Sequence, residues 1–331
     1  MKRLSHLPSF IVFSFLSVLL SCTQANGQTC SSFPLTGGVN LWPNGIIPVV
    51  FAPSFPESSK ATVREAMKDW TRSGAAIRFV ESYAGGPYVR VDPVSSDNDS
   101  GTGPHSPTVM HINTNLTVNQ RSHVVHELGH AIGFPHEQSR PDRDSYVHVQ
   151  TNNITTKGFT ANFEVTPWEC WPPGVILTPY DYGSIMHYDW CLSTIVGCKF
   201  GIHGVTDSMF AVDTSVQYST MGDWVGNDGA NLSELDKARI QLVYGKAIWV
   251  DVDSKCPAFE TGVFDCGFLG FEGPFKSSAG AVGAAAANPP PSGPITKLMI
   301  KTGTYPHNES QTLRIDKPMK LVAWQKAVRI E

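Results

Sequence analysis

Apolar residues recur at helical spacing between Ser58 and Arg72, at Val63, Ala66, Met67 and Trp70, and predict an amphipathic helix there. Ahead of it, Ile46 to Phe51 is a β-branched run bounded by Pro and Gly, hence a strand. Ile77 to Val80, Tyr88 to Val91 and Val109 to Thr114 read as further strands, with a Ser/Asp/Gly-rich loop over Ser95 to Pro107. A helix is expected from about Asn119 to Ile132, and another opens at Ser233, with Asp236 as its capping-box partner, and runs to about Tyr244. From Asp144 to Tyr218 the chain has little periodicity, many aromatics and frequent turn residues.

The N-terminus has a different pattern. Lys2 and Arg3 precede an apolar stretch from Phe10 to Leu20, followed by small and polar residues, as in a signal peptide. Two cleavage readings are open. Ala25-Asn26-Gly27 suits ordinary signal peptidase, whereas Leu19-Leu20-Ser21-Cys22 resembles a lipobox that would leave Cys22 as a lipid anchor. Export is common to both. Beyond this segment nothing approaches the roughly 18 to 20 apolar residues that span a bilayer.

Cysteine usage agrees with an oxidising compartment. Seven are present, and losing Cys22 to cleavage or lipid leaves an even number. Cys191 with Cys198 and Cys256 with Cys266 close short loops and are candidate disulfides; Cys30 and Cys170 remain. No pair has C-x-x-C spacing, which argues against a cysteine zinc site. Among 331 residues, 41% are hydrophobic, enough for a sizeable core, and a net charge of −4 leaves no basic footprint for nucleic acid.

The candidate chemistry lies in residues 126 to 136, His-Glu-Leu-Gly-His-Ala-Ile-Gly-Phe-Pro-His. On a helix, His126 and His130 share one face with Cβ atoms about 5 to 6 Å apart. Their imidazoles can then converge on one zinc ion at about 2.0 to 2.1 Å. Gly133 can end the helix at positive φ, so that the chain turns back and His136 completes a tripod. Three protein ligands leave a position open for water, the mark of a catalytic zinc. Glu127 is then the candidate base, taking a proton from that water and passing it to a leaving amine.

The long zinc motif, with Ser184-Ile185-Met186-His187-Tyr188 as a methionine turn, resembles the metzincins. The continuation from His136-Glu137-Gln138-Ser139-Arg140-Pro141-Asp142 to Val147 is similar to the astacin family in particular. Leu41-Trp42, Ile77-Arg78-Phe79, Tyr180 to Tyr188 and Leu232 to Tyr244 extend the resemblance over about Phe33 to Gly245. It implies an α+β fold, with a twisted mixed sheet and an active-site helix, and one zinc per chain acting on protein or peptide substrates. Met186 would form a floor beneath the metal, and Tyr188 a switchable ligand that hydrogen-bonds the oxyanion. Glu137 would interact with the mature N-terminus near Phe33, against a solvated surface glutamate as the plainer reading. Arg140, Asp142, Arg143 and Asp144 would be structural charge pairs, and Val109 to Thr114 the exposed edge that receives substrate. Ala76 replaces the cysteine usual before Ile-Arg-Phe, so the family's disulfides do not carry over. Cys30 either pairs with Cys170 or presents a thiolate that blocks zinc before activation.

From about Trp249 the composition changes. Trp249-Val250-Asp251, an Ala-rich stretch read as a short helix (279–287), Ile300 to Tyr305, Leu313 to Pro318 and Leu321 to Trp324 resemble the cap and opening coil of a right-handed parallel β-helix. One coil cannot bury its own face, so the catalytic domain must cover it or further coils must follow. The expected organisation is a signal peptide over 1–27, a catalytic domain over 28–245 and a C-terminal β-helix-like module over 246–331. The expected function is a secreted zinc-dependent endopeptidase. The alternative is a surface adhesion or carbohydrate-binding protein with a vestigial protease fold, which the intact Glu127, ligands, Met186 and Tyr188 disfavour.

Overall fold

The structure is a computed structural model that describes residues 41–255 apart from 83–84, 116–119, 155–160, 168–170, 172–177, 190–208, 213–214, 216–231 and 252. It also describes 259–260, 272–273, 296–301, 304–305, 320–323 and 329–330. The signal and lipobox readings, all seven cysteines, Phe33 and the Ala-rich stretch lie outside these residues.

Strand β1 (Ile46–Phe51) buries alternate side chains, Ile47 and Val49, and feeds helix α1 (Glu57–Arg72). This helix carries the chain across to β2 (Arg78–Val80), which lies parallel to β1, the arrangement that a crossover connection permits. Strands β3 (Val89–Val94) and β5 (Thr108–Asn113) extend the sheet in parallel, and β4 (Asp99–Ser100) pairs antiparallel with β5. The order β2-β1-β3-β5-β4 makes a mixed sheet, as expected. One expectation is corrected. The edge is β4, paired through Asp99 to His111 and Ser100 to Met110, and β5 is covered there. Two residues in a polar loop carry no alternation from which a strand could be read.

Helix α1 packs Val63, Ala66, Met67 and Trp70 into the core against helix α2 (Gln120–Ile132). Trp70 Nε1 donates to Val125 O at 2.8 Å, which fixes the two helices together. The last carbonyls of α2 have no partner within the helix. Trp42 Nε1 reaches Ala131 O and the Tyr244 hydroxyl reaches Ile132 O, both at 2.8 Å. Tyr244 ends helix α3 (Glu234–Tyr244), which starts on the expected capping box between Ser233 and Asp236. The helix that bears the zinc motif is thus held at its C-terminal end by Trp42 and Tyr244, which lie far apart in the chain.

The stretch without periodicity holds 3-10 turns at 143–145, 151–153 and 161–163. It also holds a short antiparallel pair, β6 (Val147–Val149) with β7 (Met209–Ala211). These elements are too short to print a repeating pattern.

After α3, β8 (Lys246–Val250) runs parallel to Thr296–Ile300, which runs parallel to Lys320–Ala323. Thr304–Tyr305 pairs in parallel with Arg329–Ile330. Lys246 faces Thr296, Lys297 faces Lys320 and Thr304 faces Arg329, so the chain returns over itself in parallel at unequal intervals. Trp249, Met299 and Val322 pack with Ile46, Ala76 and Ala247, so the start of the main sheet covers one face of these strands. Main-chain bonds from Ala76 N to Gly245 O and from Ala247 N to Gly74 O, each 2.8 Å, stitch the junction.

Candidate active site

Helix α2 presents His126 and His130 one turn apart, and its end at Gly133 turns the chain back. Gly133 has φ +124°, a conformation that L side chains rarely adopt, and its N–H bonds His130 O at 2.8 Å. This turn brings His136 home. His136 Nε2 lies 3.2 Å from His126 Nε2 and 3.1 Å from His130 Nε2.

Hydrogen bonds outside the cluster settle which ring atoms carry protons. Nδ1 of His126 faces Ile185 O at 2.6 Å, and Nδ1 of His130 faces Phe134 O at 2.7 Å. A carbonyl only accepts, so both Nδ1 atoms are donors and both Nε2 atoms present lone pairs. A proton on His136 Nε2 could serve one of those lone pairs; a cation serves all three. Burial and the neighbouring imidazoles push His126 and His136 well below the usual histidine range, and burial brings His130 to about 4. All three are therefore neutral at neutral pH, the form that ligates metal. The donor set fits one zinc ion: all-imidazole, neutral and oriented by outer hydrogen bonds.

Met186 is 3% exposed and packs against the helix at Gly129. Glu127 follows the first ligand and is 7% exposed. Burial, with Asp99 nearby, pushes its carboxyl up to about 8 in the protein alone; a dication alongside pulls it down again.

The turn that carries Met186 is held from α3. Asp236 accepts from Ser184 Oγ at 2.6 Å and from Ile185 N at 2.8 Å. One turn later, Arg239 donates to both oxygens of Glu137, at 2.7 and 2.8 Å. Glu137 also accepts from Arg140 Nη1 at 3.2 Å and from Asp181 N at 2.8 Å. At 1% exposure it is no solvated surface glutamate, because a carboxylate so buried requires countercharge and hydrogen bonds. Its expected partner, the N-terminus near Phe33, lies outside the described residues. Arg140 also pairs with Asp142, and Arg143 with Asp144, as structural charge pairs.

Tyr188 stands beside the third ligand, with ring centroids 4.3 Å apart. Its phenol oxygen accepts from Asn162 Nδ2 at 2.9 Å. The structure therefore brings together His126, His130, His136, Glu127, Met186 and Tyr188, with Glu137 one step behind His136.

Residues 36–245 match the family model described as Astacin, a peptidase family. The chain belongs to the astacin family. Bone morphogenetic protein 1 of Xenopus laevis is 36% identical over 154 residues, which are 45% of this chain and 20% of that protein. Zinc metalloproteinase nas-30 of Caenorhabditis elegans is 36% identical over 169 residues, 49% of this chain and 22% of the relative. The chain thus spans about a fifth of these relatives' lengths. High choriolytic enzyme 1, a hatching enzyme zinc-protease from Oryzias latipes, superposes with a TM-score of 0.51 at 26% identity, covering 68% of this chain and 100% of that one.

Within this astacin domain, sequence reasoning missed Asn162, Gln138, Asp236 in its second role, and Arg239. Asp236 was legible only as a cap. The others carried no local signal, since their partners lie 24 to 102 positions away in the chain.

Proposed function

We propose that this chain is a secreted zinc-dependent endopeptidase. The observation that carries the reading is the convergence of three neutral imidazole nitrogens beside a buried carboxylate. When bound, zinc supplies a Lewis acid that brings the acidity of water close to neutral pH. Glu127 takes the proton of the attacking water and passes it to the leaving amine. The Tyr188 phenol donates a hydrogen bond to the oxyanion that develops at the scissile carbonyl, where a preorganised donor has its largest effect. Met186 supports the ligands from below. The sheet edge at β4 suits an extended peptide, which would add to it by main-chain hydrogen bonds.

Glu137 acts as a brace for His136 through Arg239. Export rests on the N-terminal charge and hydropathy pattern, with a soluble product after Gly27 or an anchored one at Cys22. No helix among the described residues is long and apolar enough to cross a membrane. The catalytic domain is assigned to 28–245 and the C-terminal module to 246–331. The parallel pairing of 246–250, 296–300 and 320–323 supports a β-helix-like coil.

Incubation of the purified protein with denatured casein tests the activity. Cleavage is expected, lost on chelation and lost in Glu127→Ala. Cleavage that survives both treatments would refute the assignment.

A further inference from the structure

We infer that Asn162 is a positioning residue for the Tyr188 phenol, holding the ring so that its hydroxyl hydrogen is offered to substrate. The inference rests on the proposed role of Tyr188 as an oxyanion donor.

The Tyr188 backbone is fixed on both sides. Its N–H donates to Gln138 Oε1 at 3.0 Å, and its carbonyl accepts from His187 Nδ1 at 2.6 Å. His187 is itself fully buried, and its Nε2 accepts from the Tyr180 hydroxyl at 2.8 Å. With the main chain held, the phenol moves only by rotation of its side chain. Its ring lies beside His136 and meets Phe163 edge-on at 5.7 Å.

Asn162 Nδ2 then reaches the phenol oxygen at 2.9 Å. An amide nitrogen donates and does not accept, so this bond occupies an oxygen lone pair and leaves the phenol's hydrogen to be given elsewhere. A carboxylate at the same place would do the opposite and claim that hydrogen.

Asn162 is anchored to the segment that follows the third ligand. Its carbonyl accepts from Ser139 Oγ at 3.0 Å and from Gln138 Nε2 at 3.3 Å. The Gln138 amide therefore spans the Tyr188 main chain and the Asn162 main chain. The phenol is positioned against the same short segment, His136 to Ser139, that carries a ligand. A reacting group is held in a productive geometry only when its orienting partners are themselves held.

Two substitutions in two backgrounds test this. In the intact chain, Asn162→Leu should lower kcat about tenfold, the scale of one lost neutral hydrogen bond, with KM changed less than about twofold. Asn162→Asp should lower kcat at least as far as Tyr188→Phe does. In the Tyr188→Phe background, either change should alter kcat by less than about twofold, because the group it acts through is gone. A structural role would give the same loss in both backgrounds, and that result overturns the proposal. A readout independent of activity uses metal-free protein labelled with 13Cζ-tyrosine. The resonance abolished by Tyr188→Phe should shift in Asn162→Leu while the other tyrosine signals stay in place. A Tyr188 signal that does not move overturns the contact. Wild-type protein that cleaves no peptide would refute the peptidase reading, and the resonance comparison would still decide the Asn162 contact.

Discussion

A β-carbon built on Gly129 falls 2.3 Å from the Met186 sulfur and 3.1 Å from Trp70 Cζ2, so helix and methionine turn meet without room for a methyl group. Gly129→Ala must displace Met186, and the expected cost is about 1 to 3 kcal/mol in denaturant unfolding, with weaker zinc binding. An unchanged unfolding midpoint and an unchanged zinc affinity would contradict the contact. Glu127→Gln keeps the shape of the side chain and removes its basicity. Peptide hydrolysis should then fall by about 10² to 10⁴, with zinc still bound at the wild-type level. His126, His130 and Gly133 are legible in the sequence because helix geometry dictates the i, i+4 pair and glycine suits the turn at 133, whereas the close approach at Gly129 is not. Gln138 and Asn162 are not legible, since nothing local distinguishes them from ordinary surface amides.

Helix α3 shows how an element can be read correctly and its purpose missed. Ser233 and Asp236 announce its start, yet one face of the helix holds the turn that carries Met186. Asp236 grips the methionine turn, and Arg239 grips Glu137 behind His136. Both charges of the latter pair are almost fully buried, with side-chain exposures of 3% and 1%. Arg239→Met should therefore cost about 3 to 5 kcal/mol by leaving a buried carboxylate short of countercharge, and adding Glu137→Gln should recover part of that loss. Urea midpoints of the two variants check this; a single variant as stable as wild type would rule out the brace. Strand β4 failed to show for a different reason. Its two residues are selected by pairing with β5, a tertiary event that leaves no periodicity in a Ser/Asp/Gly loop.

Over the molecule as a whole, the C-terminal strands and the main sheet share a boundary of apolar side chains. Trp249 is 3% exposed there, among Ile46, Ala76, Met299 and Val322. Trp249→Ala should cost about 3 to 5 kcal/mol. It should also lower the melting temperature seen by activity as well as by circular dichroism; a variant with a normal transition would show that the boundary contributes little. Parallel strands after Trp249 and a cover from the catalytic domain were among the expectations from sequence, whereas Ile46 and Ala76 as the covering residues needed the structure, because they lie far upstream in the chain. The zinc centre also couples to global stability. Binding to the folded chain alone at a thousandfold excess over Kd adds about 4 kcal/mol, so removal of metal should lower the unfolding midpoint reversibly. The most direct test of the central claim is a zinc titration of metal-stripped protein, followed by peptide cleavage. The account predicts that hydrolysis returns in proportion to zinc and reaches its plateau at one equivalent per chain. Hydrolysis that needs no zinc, or that fails to return at any zinc concentration, would contradict it.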